Sequence, residues 1–157
     1  MSSVMRVPWT NRLAKMIREP GGVRVEDALR DAESNLETLR DGCLESIDSR
    51  LAGIEQLHRQ TEAGASLEQM DAMYAQASDI HSVAGVFGLG ELGQAAFSLC
   101  ELVDRLRAAG RWDAKAVEVH LNALRLFREP SPHPAAATAV LEGLGRVTNR
   151  IPKTAEA

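Results

Sequence analysis

Cysteine occurs only at positions 43 and 100 of 157 residues, too few for the disulfide framework of a secreted scaffold; two isolated cysteines fit small core residues in a reducing compartment. Long apolar runs are also missing. Nowhere do about 18 apolar residues follow one another, and the N-terminus has no apolar segment of the signal-peptide kind, so neither a membrane span nor export is expected, and the cytoplasm is the expected location. Positive charge is not in excess: the net charge is −4, and an acidic chain repels phosphates, so nucleic acid is not an expected partner. Lysine is scarce beside arginine, 3 against 15, a bias ascribed to genome composition. Strand patterns are absent, because valine, isoleucine and aromatic residues never alternate with polar ones over a useful length. No P-loop, nucleophile elbow or dinucleotide fingerprint occurs, and His58, His120 and His133 share no i, i+4 pairing with one another or with a carboxylate, which argues against a zinc or di-iron centre.

What is present is helical periodicity. Apolar residues make up 45 % of the chain, enough for one domain with a core. Leu29, Ala32, Leu36, Leu39, Cys43, Ile47, Leu51, Ile54 and Leu57 recur at steps of three or four, so Val25 to about Thr61 reads as helix, one long helix or two according to whether Gly42 divides it or is merely tolerated. Ser66 followed by Gln69 is a capping-box pattern for the next helix, whose inward stripe reads Met70, Met73, Ala77, Ile80, Val83 and Phe87. Leu92, Ala95, Leu99, Leu102, Val103 and Leu106 form another stripe, ended at Gly110, a candidate left-handed cap. Asp113 caps its successor, in which Val117, Leu121, Leu124 and Phe127 face inward. Pro134 suits the first turn of a last helix with Val140, Leu141, Leu144, Val147 and Ile151. The expected fold is all-α, an antiparallel up-down four-helix bundle with additional N- and C-terminal helices. Residues 1–22 read as an arm in which Leu13, Met16 and Ile17 oppose Arg12, Lys15 and Arg18, with Trp9 as its anchor; residues 23–128 form the bundle, and 129–157 a linker and C-terminal helix.

The stretch DIHSVAGVFGLGELG, residues 79–93, places a histidine among glycines inside a helical pattern. Continued as a helix, it stacks Ser78, His81, Gly85 and Gly88 on one bare face, with Ser82 beside them. A side chain at 85 would lean back over the imidazole, and Gly85 removes it; Gly88 keeps the approach low. The competing reading is a half-buried histidine beside a glycine that permits close helix crossing.

Residues "IHSVAGVFGLGELG" resemble the signature of histidine-containing phosphotransfer (HPt) domains, the four-helix phosphocarriers of bacterial two-component phosphorelays. His81, Val83 and Gly85 match three signature positions, and Gly88 or Gly90 serves as the glycine near the turn. Ala84 stands where the family commonly has lysine. The resemblance covers about residues 43–127, including "SLCELVDRL" and "VEVHLNALRLF". It implies a phosphocarrier without kinase activity of its own, with His81 as nucleophile, Gly85, Gly88, Ser78 and Ser82 on the docking face, and Ile80, Val83 and Phe87 as packing. No cofactor is implied, since magnesium belongs to the partner receiver. The implied partners are response-regulator receiver domains and a hybrid histidine kinase; a homodimer through the N-terminal helices is a further expectation. Between Tyr74 and Gly88 the only charged residue is Asp79, so this helix brings no cation to a phosphoryl group, and a lysine at 84 is expected to restore one. The alternatives are a non-catalytic HPt-like module that holds a receiver or kinase, and a purely structural bundle or coiled-coil dimer built on residues 25–61.

Overall fold

Burial of the stripes just described accounts for the architecture. The computed structural model describes residues 22–129 and 133–152; the expected arm, with Trp9, Leu13, Met16 and Ile17, lies outside them. Five α-helices are present and no strand occurs among the described residues: α1 (Val25–Gln60), α2 (Leu67–Ala84), α3 (Gly90–Ala108), α4 (Ala114–Leu126) and α5 (Pro134–Asn149). The chain falls into two compact units, Met1–Leu39 and Arg40–Ala157.

In the first unit the apolar residues of α1, Val25, Leu29, Leu36 and Leu39, are exposed. Periodicity marks the helix correctly without indicating what covers its stripe. Gly42 does not divide α1, which runs unbroken through Asp41 and Gly42; one exposed helical glycine costs only about 1 kcal/mol relative to alanine.

In the second unit Ile47, Leu51 and Ile54 of α1 enter a core shared with every later helix. The centre is α3, whose Leu92, Ala95, Ala96, Leu99, Leu102, Val103 and Leu106 are all buried; a helix apolar around so much of its circumference must be covered on several sides, and α3 packs against α2, α4 and α5. Asp71 near the start of α2 pairs with Arg107 near the end of α3 at 2.8 Å, and the chain reverses within five residues between α2 and α3, so these two helices run antiparallel. Local chemistry sets the starts. Ser66 and Gln69 complete a capping box on α2, Asp113 accepts from the Ala116 N–H to cap α4, and Pro134 opens α5. Gly110, at φ +60°, closes the turn after α3.

The C-terminal helix, expected as a segment beyond the bundle, packs into the same core. Ala137, Leu144 and Ile151 are buried, and the Arg105 guanidinium donates to the carbonyls of Thr148 and Ile151, each at 3.1 Å, closing the C-terminal end of α5. Between α3, α4 and α5 lies a buried polar cluster. His120 Nδ1 is 2.9 Å from the Ala116 carbonyl, and its Nε2 is 3.0 Å from Ser98 Oγ and 3.2 Å from Thr148 Oγ1. A carbonyl only accepts, so Nδ1 carries the hydrogen and Nε2 accepts from the hydroxyls. The imidazole is therefore held neutral, and burial holds its pKa below the ordinary histidine value.

That cluster makes stability pH-dependent. The unfolded chain protonates His120 near pH 6.5, whereas the folded chain protonates it only at lower pH. Stability is thus full above about pH 6.5 and falls as pH drops below it, by up to about 1.4 kcal/mol per unit for this group. In urea titrations between pH 8 and pH 5, His120→Gln should be less stable at pH 8 by about 1–3 kcal/mol, through hydroxyls left poorly partnered, and should show a shallower acid decline.

Candidate functional site

His81 lies in the last turn of α2, and the helix ends sooner than its pattern suggests. Ala84 is its last residue, Gly85–Phe87 form a single 3-10 turn, and Gly88 at φ +76° reverses the chain. The Leu89 N–H then bonds to the Ala84 carbonyl at 3.0 Å while the Leu89 side chain turns into the core. Gly85, still in the right-handed helical conformation, caps α2 one turn beyond His81, whereas Gly88 lies in the exposed reversal that follows and does not continue the stack. Glycine at 88 supplies the left-handed conformation that costs other residues roughly 1–2 kcal/mol. At Gly85 an added Cβ would meet nothing within 4 Å, so this glycine does not serve a helix crossing.

The crossing glycine is Gly93. It is buried in α3, and a Cβ there would lie 3.5 Å from the Ala84 Cβ and 3.9 Å from His81 Nδ1. Because neither position carries bulk, α2 and α3 approach closely enough for His81 Nδ1 to stand 2.9 Å from the Gly93 carbonyl. The carbonyl can only accept, so Nδ1 carries the hydrogen, and in the neutral ring it is Nε2 that holds the lone pair. Nε2 has no hydrogen-bond partner among the described residues, and the residue as a whole is exposed. The ring is steadied by Phe97, centroids 5.3 Å apart and planes tilted by 45°, a favourable aromatic geometry.

Around the ring runs a groove of about 280 Å³ lined by His81, Gln94, Phe97, Ser98, Glu101, Leu141 and Gly145. Its far wall is α5, which nothing in the local sequence brings near the histidine. No cation lines it. Asp79 is turned toward α1, 3.2 Å from Arg50, and the Ser82 hydroxyl is committed to the Ser78 carbonyl at 2.9 Å. Ser78 is half-buried one turn below. Ala84 is fully buried, so a lysine there would not simply restore a surface charge: its stem would have to enter the α2–α3 contact.

His58, His120 and His133 do not join His81. The Nδ1 of His58 is buried without a hydrogen-bond partner, His120 belongs to the α3–α4–α5 cluster, and His133 precedes α5. No group of three potential metal ligands occurs among the described residues. Sequence reasoning missed Gly93, Phe97 and Leu141. A signal existed for Gly93 in its place within the helix after the turn, but no local pattern distinguishes a glycine that admits a carbonyl contact from a tolerated one. Compared with family models, curated proteins and solved structures, the chain matches none.

Gly85 and Gly93 should therefore respond oppositely to side chains. Gly85→Ala keeps an ordinary helical φ of −64° and meets open space, so stability should hold or rise by about 0.4–1 kcal/mol. Gly93→Leu overfills the crossing and should lose about 1–3 kcal/mol. Imidazole nitrogen NMR should show the His81 Nδ1–H tautomer in wild type and in the Gly85 variant, and a mixture in the Gly93 variant.

Proposed function

We propose that the chain is an HPt-type phosphocarrier that relays a phosphoryl group between receiver-domain aspartates through His81. The observation that carries this reading is the exposed imidazole whose Nδ1 hydrogen is tied to the Gly93 carbonyl, which makes Nε2 the nucleophilic nitrogen of the neutral ring. The helix order is compatible with the rest of the resemblance: the second half of α1 with α2, α3 and α4 fits an antiparallel up-down four-helix bundle, to which α5 is added. The setting would be the cytoplasm. Among the described residues no helix is long and apolar enough to cross a membrane.

In this reading the Nε2 lone pair attacks the phosphorus of a receiver's aspartyl phosphate; the N–P bond forms as the P–O bond to the aspartate breaks, and the carboxylate leaves with the electron pair. No proton need move. Nδ1 keeps its hydrogen, and the positive charge gained by the ring is stabilised through the bond to Gly93. Donation to a second receiver reverses the step. Alignment supplies most of the catalysis, because phosphoryl transfer asks the carrier for position and little else. The cation that the groove lacks would come from the receiver's magnesium site and basic groups.

A second reading rests on a specific observation. Among the described residues no lysine or arginine lines the groove, and its carboxylate, Glu101, lies 3.9 Å from Arg105, so none of these residues is placed to neutralise a phosphoryl group with about two negative charges. A module that binds a receiver or kinase without exchange would show the same geometry.

Incubation with a phosphorylated receiver should place an acid-labile, base-stable phosphate on the wild type and none on His81→Gln, while His58, His120 and His133 variants that remain folded should still label. Binding of the receiver without labelling of the wild type would favour the non-catalytic module, and labelling that persists in His81→Gln would exclude His81 as carrier. Gly85→Gln is expected to stay folded and to transfer poorly, because its side chain would stand beside the docking ring and hold a receiver outside the near-attack distance of about 3–3.5 Å.

A further inference from the structure

We infer that the first half of α1 is a self-association surface, pairing two copies of this chain as an antiparallel coiled coil. The observation is an apolar seam that its own unit leaves uncovered: Val25 is 70 % exposed, Leu29 59 %, Leu36 45 % and Leu39 60 %. With Ala32 and Cys43 these residues advance by four, three, four, three and four, an unbroken heptad repeat with Leu29, Leu36 and Cys43 at a and Val25, Ala32 and Leu39 at d. Beyond Cys43 the steps change to four and four, through Ile47 and Leu51, and there the stripe turns into the core. The heptad therefore ends where burial within the chain begins. The same period occurs in stripes that are buried, Met70, Met73, Ala77, Ile80 and Ala84 among them, so it is the exposure of this one that calls for a second helix.

Volume and charge identify the occupant and its direction. In a parallel pair each residue faces its own copy, so Ala32 would meet Ala32 and leave a gap between leucine layers. In an antiparallel pair a faces d. Leu36 then covers Ala32, Leu29 covers Leu39 and Val25 covers Cys43, each layer occurring twice about the twofold axis, and large residues fill the space left by small ones. The flanking e positions are Glu26, Glu33 and Arg40. An antiparallel pair aligned in this register brings Glu26 beside Arg40 of the other copy, offset by about 3 Å along the axis at 1.5 Å per residue, and does so twice. Neither residue has an ion-pair partner among the described residues, although Asp27, next to Glu26, pairs with Arg30 at 3.2 Å. Glu33 faces its own copy at the axis, the one like-charge contact. A parallel pair instead sets Glu33 beside Ala28 and Arg40 beside Asn35, gaining no ion pair. The surface thus fits a second copy of itself, in one orientation, independently of what His81 does.

The test uses the full-length chain and its native cysteine. Light scattering after gel filtration should give twice the chain mass of 17.0 kDa, and Leu36→Glu should return it to the chain mass with unchanged circular dichroism. Val25→Cys, oxidised mildly, should form a disulfide-linked dimer by joining the introduced thiol of one chain to Cys43 of another; peptide mapping of mixed light and heavy-nitrogen chains identifies the link as intermolecular. Cys100 is buried and does not compete. A wild-type chain that cross-links Cys43 to Cys43 would overturn the antiparallel arrangement. A monomeric wild type would overturn the proposal outright, and one that becomes dimeric when residues 1–22 are deleted would identify the N-terminal segment as the occupant instead.

Discussion

The hydrogen bond from His81 Nδ1 to the Gly93 carbonyl sets the conditions that the surrounding structure must satisfy. A 2.9 Å contact between a side chain of α2 and a main-chain oxygen of α3 requires the two helices to approach closely, and that approach is possible only because Ala84 and Gly93 present so little at the crossing. Beyond it the polypeptide leaves the α-helix at Ala84, tightens through Gly85–Phe87 and reverses at Gly88. The run of glycines is thus divided among distinct tasks: an open surface at 85, a left-handed reversal at 88 and a close approach at 93. What emerges is one tautomer of one exposed imidazole, with its free nitrogen determined by the bond at the other.

The far side of the groove depends on a second constraint. Leu141 and Gly145 line the groove because α5 is fastened to α3 and α4 by the buried cluster of His120, Ser98 and Thr148 and by the Arg105 cap. Buried polar groups hold elements firmly only when each has its partner. This cluster meets that condition with a neutral imidazole, so the ring that supports α5 and the ring at the groove share a tautomer for different reasons. One is enclosed and accepts from hydroxyls at Nε2; the other is exposed and keeps Nε2 free.

The helices and their starts were legible in the sequence because their causes are local. Ser66 with Gln69, Asp113 and Pro134 act within one turn of themselves, and the apolar stripes follow the helical period. Periodicity alone does not say what will cover a stripe. It marks Leu29, Leu36 and Leu39 as one face with Ile47 and Leu51, yet the first three are exposed and the last two buried. The position of His81 was legible from its glycine spacing, but its immediate surroundings were not. The residues that matter most to the ring, Gly93, Phe97 and Leu141, are 12, 16 and 60 positions away, and their approach follows from helix packing that no window of sequence contains. The end of α2 was missed for a related reason: glycine at 85 is tolerated in a helix, and it is the burial of Leu89 that pulls the chain out of one.

The same packing bears on Ala84, where the HPt signature that the sequence resembles commonly has lysine. A lysine there and an intimate α2–α3 crossing compete for the same space, and this chain has taken the crossing, with alanine fully buried against Gly93. What the crossing provides is a fixed donor geometry at Nδ1, which stabilises positive charge on the ring. What it leaves out, among the described residues, is a cation for negative charge on a phosphoryl group. On the phosphocarrier reading these terms act on different parts of the transition state: the chain presents the nucleophile, and the partner must neutralise the group in flight. The barrier would then depend on the docked complex and not on the carrier alone, so a receiver would contribute to catalysis as well as to specificity. On the binding-module reading the deficit has a simpler consequence, because a face that does not favour phosphoryl charge can hold a receiver without accepting its phosphate. The two readings diverge in whether the partner's cation reaches the groove, a property of the interface that neither helix determines by itself.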